Sequence, residues 1–395
     1  MDSSIDHDSL PESTSPTLHL SHPTPEERIK IWTNTAAAWK DSLTLPAYLS
    51  ESTHLTTIPL AKNGGLTLWI LVDSTLPPNA RPILCSCETF RKRSLTSNAG
   101  GNVEDNIIHG IASVFCPPEY RRRGYATRHM RELAAALHSW QTEQARCVGS
   151  VLYSDIGKTY YANLGWRPHP TNSHVVFQPL KMPKPHAVKS IGEEDLAGLC
   201  DRDEAMIREA MATPAQAETR LAIVPDLDHM LWHIGKEDFA TQYLFGTTAQ
   251  AKGALAGPPG RQVWAIWTHR YYDHPDSESP NNVLYILRLV VEDQGGGENA
   301  SVEDRERRAE VRDEQAGYLE AVLQAAQAEA AEWRLGCIEL WDPTPMVQDM
   351  IVQSGMEHSV VEREEDSIAS GLWYDKDGGV GPAPEWLHNE HYAWC

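Results

Sequence analysis

The chain has 395 residues, 41% of them hydrophobic and 23% charged, with 55 acidic against 34 basic side chains and a formal charge of −21. This is ordinary globular material, long enough for two or three domains. The acidic balance argues against a nucleic-acid partner, which requires a basic face. Apolar stretches such as Leu66 to Val72 fall far short of the roughly 20 residues of a membrane span, and Asp2, Asp6 and Asp8 stand where a signal peptide would be basic and apolar. Seven cysteines without paired Cys-x-x-Cys spacings read as reduced thiols rather than disulfides or zinc ligands. The expectation is a cytoplasmic protein with no metal and no membrane contact.

Residues 1–23, rich in Ser, Thr, Pro and Asp, read as a disordered tail. Thr24 is a good N-cap, and the pattern from Pro25 to about Ser42 is helical. Strand-like runs follow at Leu66–Asp73, Ile83–Thr89, Ile107–Cys116 and Val148–Tyr153, punctuated by Gly64-Gly65 and Leu76-Pro77-Pro78. A helix from Gly124 to about Gln141 places Met130, Leu133, Ala134 and Leu137 on one side. A shorter helix spans Gly157–Leu164, and Val175–Gln178 reads as another strand. These elements make a mixed α/β domain over 24–182.

Lys181–His186 has the composition of a linker, and 183–395 reads as a second α/β domain. In it Arg261–Tyr271, Val283–Glu292 and Cys337–Trp341 are strands, and Glu303–Trp333 and Asp342–Gly355 are helices. Tyr153-Ser154-Asp155 with Leu164-Gly165-Trp166 parallels Leu340-Trp341-Asp342 with Ser354-Gly355-Met356. An internal duplication and two unrelated strand–helix units both remain open. Gly295–Glu310 reads as a charged insertion, and the aromatic C-terminus, Glu385–Cys395, as docked.

The most informative segment is Ile111–Thr127, a strand that feeds a short loop and then the helix opened by Gly124. Helix N-termini leave backbone N–H groups unpaired and carry partial positive charge, so such a turn can hold a diphosphate. Gly124 and Ala126 admit close approach of phosphate oxygens. Arg121, Arg122 and Arg123 concentrate positive charge in an otherwise acidic chain. Three arginines alone read as a solvated helix start; strand, Pro117-Pro118, Arg-x-x-Gly-x-Ala and amphipathic helix in succession read as an anion site.

Arg121-x-x-Gly124-x-Ala126 resembles the acyl-CoA motif of the GCN5-related N-acetyltransferase (GNAT) superfamily, and Tyr161-Ala-Asn-Leu-Gly165-Trp166 resembles its downstream Tyr-x-x-x-Gly-aromatic segment. Ser86–Arg93, Pro117–Ala126, Leu152–Gly157 and His391–Cys395 are similar to the fungal lysine N6-acetyltransferase family of lysine catabolism. The resemblance implies a GNAT fold with splayed central strands, followed by a second α/β domain for which a degenerate GNAT-like repeat stays one of the two open readings. It implies acetyl-CoA as cosubstrate and direct transfer of acetyl to the side-chain amine of free L-lysine. Another small primary amine, such as a polyamine, or a noncatalytic acyl-CoA-binding protein are the alternatives.

By that resemblance, Arg121, Arg122, Arg123, Gly124, Tyr125 and Ala126 wrap the pyrophosphate, Thr127 adds a hydroxyl, and the freed backbone of Val114, Phe115 and Cys116 pairs with pantetheine. One of those N–H groups would polarise the thioester carbonyl. Ser154 stands where the family often has Asn. Tyr161 is the expected general acid toward sulfur. Glu88, at a strand end, is the candidate base, with His109 ranked below it; an ion pair of Glu88 to Arg91, and a step left to water with no dedicated base as in many superfamily members, are the alternatives. Arg91 or Arg93 would clamp the substrate carboxylate. The second half has acids after Val283–Glu292 and no equivalent turn, so it is expected to bind no second acyl-CoA.

Overall fold

The computed structural model describes residues 10–278, 281–292 and 302–394, the side chains of 302–309 excepted. The first half runs β1 (Leu18–Ser21), α1 (Pro25–Trp39), α2 (Leu45–Leu55), β2 (Leu66–Asp73), β3 (Cys85–Asn98) and β4 (Val103–Phe115). It continues with α3 (Tyr125–Leu137), β5 (Cys147–Ser154), α4 (Thr159–Ala162), β6 (Arg167–Pro168) and β7 (Ser173–Phe177). The second half opens with β8 (Val188–Ile191), α5 (Glu193–Met211), β9 (Thr219–Ile223), α6 (Leu227–Phe245), β10 (Gly253–Ala256), β11 (Val263–Tyr271) and β12 (Asn282–Val291). It closes with α7 (Val302–Glu332), β13 (Cys337–Trp341), α8 (Pro345–Ser354), β14 (Ser359–Glu362), β15 (Ile368–Trp373) and β16 (Glu385–Leu387).

The two halves repeat one plan. The first sheet is ordered β1-β2-β3-β4-β5-β15-β6 and the second β8-β10-β11-β12-β13-β7-β14. In each, a parallel pair sits at the centre, β4 with β5 and β12 with β13. The strand beyond that pair is exchanged: β15 of the second half lies antiparallel to β5, and β7 of the first half lies antiparallel to β13. This reciprocal exchange is the arrangement that an internal duplication would give. Each sheet draws strands from both sides of residue 182. Between α5 and α6 the second half adds β9, which extends the first sheet by pairing with β3 and carries β16 on its other edge.

The N-terminal segment departs from the tail expected of it. β1 pairs antiparallel with β2 through Leu18↔Asp73 to Ser21↔Ile70, and Leu18 is buried against Leu71, Leu84 and Tyr125. Four residues are too short to show alternation, and their partner lies some 50 residues away. Residues 1–9, and 295–301 of the charged insertion, lie outside the described residues, while 302–310 form the start of α7.

α3 packs Met130, Leu133 and Leu137, all fully buried, against the first sheet together with Trp166. Burying each such side chain stabilises by roughly 1.5–3 kcal/mol. A further core joins the halves, where Ile108 and Val151 of the first sheet meet Trp264, Ile266 and Leu287 of the second. Near the entry of α1, the buried Glu27 closes a capping box with Thr24 and receives a bidentate contact from Arg81, at 2.8 and 3.1 Å. Burial pushes the Glu27 carboxyl up, but the Arg81 guanidinium and the Thr24 and Asn79 amides outweigh it and hold the pKa at about 2. A depressed folded-state pKa stabilises above the ordinary value of 4.5 and is lost as pH falls toward 2. Glu27→Gln is therefore expected to cost on the order of 2–3 kcal/mol at pH 7 in urea unfolding, a gap that narrows at pH 3.

Candidate functional site

Along β4 the pairing with β5 ends at Ile111↔Leu152, although β4 runs on to Phe115 and β5 to Ser154. On its other edge β4 stays paired with β3, through Glu88↔Ala112 and Ser86↔Phe115. Ser113 and Val114 thus stand opposite the single residue Cys87, a bulge in which Ser113 takes φ +53°. Bulges re-aim a strand end, and a non-glycine residue in the left-handed region is a local strain of the kind found at functional sites. The two parallel strands part here, as the sequence led us to expect.

The parting strands open onto a cavity of about 230 Å³, below the roughly 300–1,000 Å³ of pockets for drug-sized ligands. Its floor is Ile111 to Val114 of β4 with Leu152 of β5. Trp32 and Trp39 of α1, Trp232 of α6 and Trp394 near the C-terminus form walls. Both signs of charge reach it, Glu51, Glu88 and Asp155 as acids and Lys236 and Arg270 as cations.

Glu88 faces this cavity from β3. Its carboxylate accepts from Trp32 Nε1 at 3.3 Å and from Ser113 Oγ at 3.1 Å. Burial raises its pKa from the ordinary carboxylate value, against the pull of those two donors and of Lys236. Tyr161, on α4, also lines the cavity, and burial pushes its phenol well above the usual range. Its neighbour Tyr160 packs edge-on against it at 5.0 Å and reaches the Thr127 hydroxyl at 3.5 Å. His109 is buried away from the cavity with Nε2 on the Trp140 carbonyl, and burial lowers its pKa to about 4.

Arg91 is not at the site. Side chains alternate across a strand, so Glu88 and Phe90 face the cavity, and buried Lys92 on the same face donates to the Ala393 carbonyl. Cys87, Thr89 and Arg91 point to the other face, where Cys87 meets His129 of α3 and Arg91 is exposed. Arg93, also exposed, pairs with Glu204 and Asp226. Neither arginine is brought to the cavity, and the ion pair of Glu88 with Arg91 does not form.

The Arg121–Thr127 turn sits beyond the end of β4. Arg121 donates from Nε to the Cys116 carbonyl at 2.9 Å and lies over the Phe115 ring. Arg121, Arg122 and Arg123 are exposed. Gly124 is the N-cap of α3 at φ +85°, and having no side chain it makes no cap bond to the first-turn amides, nor is one found among the described residues. Tyr125 is buried and donates to the Pro11 carbonyl, and Ala126 packs beside it. Ser13 stands so close that a Cβ on Gly124 would lie 2.7 Å from its Oγ. A turn with a left-handed glycine, uncapped amides and three nearby guanidinium groups fits a diphosphate. Ser154 serves its own loop instead. Its hydroxyl donates to the Gly157 carbonyl and accepts from the Ile156 amide, closing the turn after β5.

The equivalent gap in the second half is filled from within. β12 pairs with β13 only as far as Ile286↔Leu340, and beyond that the Leu289 amide donates to the Glu390 carboxylate at 2.8 Å. Arg288 joins Glu390 to Asp203 in a buried cluster. The C-terminal segment lies where a second cofactor arm would enter, and it carries Trp394 on to the first cavity.

Against known proteins, residues 174–395, more than half of the chain, match the family described as the LYC1 GNAT-like C-terminal domain. The chain belongs to the LYC1 GNAT-like family. The match begins inside β7, the strand exchanged into the second sheet. A lysine acetyltransferase of Yarrowia lipolytica is 24% identical over 230 residues, 48% of this chain and 57% of that one, so the match spans little more than half of that relative. A conserved Enterococcus faecalis protein described as a probable N-acyltransferase superposes with a TM-score of 0.50 at 10% identity, over 90% of this chain and 73% of that one. A GCN5-related N-acetyltransferase from Kribbella flavida gives 0.47 at 16% identity, over 91% and 71%. The mixed α/β GNAT fold expected from the sequence is the fold found. Among the described residues no helix is long and apolar enough to cross a membrane, and no cluster of His, Cys, Asp or Glu forms a metal site.

Proposed function

We propose that the chain is an acetyl-CoA-dependent N-acetyltransferase that modifies the side-chain amine of free L-lysine, in cytoplasmic lysine catabolism. One observation carries the reading: the edge of β4 that β5 leaves free opens into the same cavity as the half-buried Glu88, a few residues before an uncapped helix start. Acetyl-CoA supplies the acetyl group as a thioester. The amides at the start of α3 and the arginines of the turn hold its diphosphate, with Thr127 adding a hydroxyl. The backbone of Val114, Phe115 and Cys116 aligns the pantetheine arm and offers an N–H to the thioester oxygen.

The chain's own side chains then handle two protons. A lysine side chain is charged near neutral pH, with an ordinary pKa of about 10.4, and attacks only as the free amine. Glu88 accepts that proton, and its raised pKa makes it a better base than an exposed carboxylate. As the C–N bond forms and the C–S bond breaks, Tyr161, held protonated by burial, gives its proton to the departing sulfur and is restored by the second proton that the acylated nitrogen loses. The tryptophan walls narrow the cavity, which suits a small amine better than a protein substrate. The small volume and paired charges of the cavity suit an amino acid, and the Yarrowia lipolytica relative bears the name lysine acetyltransferase.

An amine panel checks this reading, with CoA release measured for L-lysine, polyamines, diamines and a short peptide. L-lysine is expected to lead in kcat/KM by at least about tenfold. Another amine in the lead would replace the substrate, and acetyl-CoA binding with no turnover of any amine would make the protein a noncatalytic binder.

A further inference from the structure

We infer that Arg270, contributed by the second half, is the residue that recognises the free α-carboxylate of the acceptor, so that the site selects an ω-amino acid over the corresponding diamine. The inference rests on the small-amine acetyltransferase reading above and adds the residue that sets its specificity.

Among the described residues, two cations line the cavity. Lys236 is committed to Glu51, with Nζ 3.2 Å from the carboxylate. Arg270 is only partly committed. One terminal nitrogen meets Asp41 at 2.8 Å, with 13% of the side chain exposed, while its buried Nε has no hydrogen-bond partner. A guanidinium carries five N–H donors in a fixed fork, and a buried donor left unmade is costly. Nε is shut away from the cavity, so it is the exposed remainder of the fork, on the cavity wall, that an arriving acceptor meets.

The surroundings suit a carboxylate. Arg270 lies over the rings of Tyr272 and Trp394, at 5.0 and 5.6 Å, which fix the plane of the fork before anything binds. Planar bidentate pairing is the contact for which arginine is better shaped than lysine. The division of labour follows from topology. Glu88 and Tyr161 come from the first half and Arg270 from β11 of the second, so the carboxylate and amine ends of one small molecule are read by different halves of the chain. A diamine leaves the fork unpaired.

The test compares kcat/KM for L-lysine and for 1,5-diaminopentane, which lacks the carboxylate, in the wild type, Arg270→Gln and Arg270→Lys. The wild type is expected to prefer L-lysine by about 100-fold, and Arg270→Gln to collapse that ratio at least 30-fold, mostly through KM for lysine. Arg270→Lys keeps the charge but not the fork and is expected to lose about tenfold of the ratio. Acetyl-CoA affinity, read in parallel, shows whether each variant is folded. Where Arg270→Gln does not fold, the Lys variant decides. A folded variant that loses lysine and diamine equally, or retains the wild-type ratio, overturns the assignment of Arg270. A wild type that acetylates diamines but no amino acid overturns the lysine reading itself and is seen before any variant is made.

Discussion

Replacing Gly124 by glutamate is expected to raise the dissociation constant for acetyl-CoA at least 100-fold, measured by titration calorimetry. Two effects add. Gly124 sits at φ +85°, a region that costs a residue with a Cβ about 1–2 kcal/mol. The new carboxylate would also stand at a helix N-terminus that otherwise attracts anions, beside the site of a diphosphate. Gly124→Ala separates the two, since it carries the backbone cost without the charge and is expected to weaken binding only about 5- to 10-fold. The Cβ of either variant approaches the Ser13 hydroxyl, a small group at the surface that can turn away. Equal loss in both variants would show that geometry alone governs the turn.

Glu88→Gln is expected to lower kcat by about 10²–10³-fold with little change in acetyl-CoA affinity. The amide keeps one oxygen for Trp32 Nε1, and its NH2 can donate to the Ser113 hydroxyl in place of the bond that Glu88 accepted there, so the local packing survives while the base is removed. The pH dependence carries the sign. Burial raises the Glu88 pKa above 4.5, and a base works only when ionised. Wild-type kcat/KM should therefore fall with decreasing pH through an acidic limb that is shifted up from that of an exposed carboxylate. In Glu88→Gln that limb should be absent. A variant that keeps more than about a third of wild-type kcat, or the same limb, would assign the proton to water or to another group.

The segment from β4 to α3 was legible because everything it needs is contiguous: a strand, two prolines, arginines, one glycine and an amphipathic helix. Glu88, read at a strand end, lies near the start of a longer β3 and on the cavity wall. The remainder of the cavity was not legible. Trp32 and Trp39 share a helical face that reads as plain core. α6 buries His229, Met230, Trp232, His233 and Glu237 around much of its circumference, so it lacks the one-sided period that marks a helix. Its Trp232 and Lys236, one turn apart, would have pointed to a shared face. Arg91 was misplaced because the strand was read as ending at Thr89, whereas β3 runs on to Asn98 and alternation then sets Arg91 on the face opposite Glu88. The exchange of β7 and β15 leaves no local trace either, since a strand with the same alternation serves in either sheet. The cation at the cavity wall came instead from β11, more than 170 residues after Glu88, where only the folded chain brings it close.

A crystal structure with CoA and L-lysine bound tests the central claim most directly. The account predicts the diphosphate on the amides between Arg123 and Thr127, the pantetheine arm along Val114 to Cys116, and the lysine ε-amine within hydrogen-bond reach of Glu88. CoA lodged between β12 and β13, or anywhere other than the gap between β4 and β5, would contradict it.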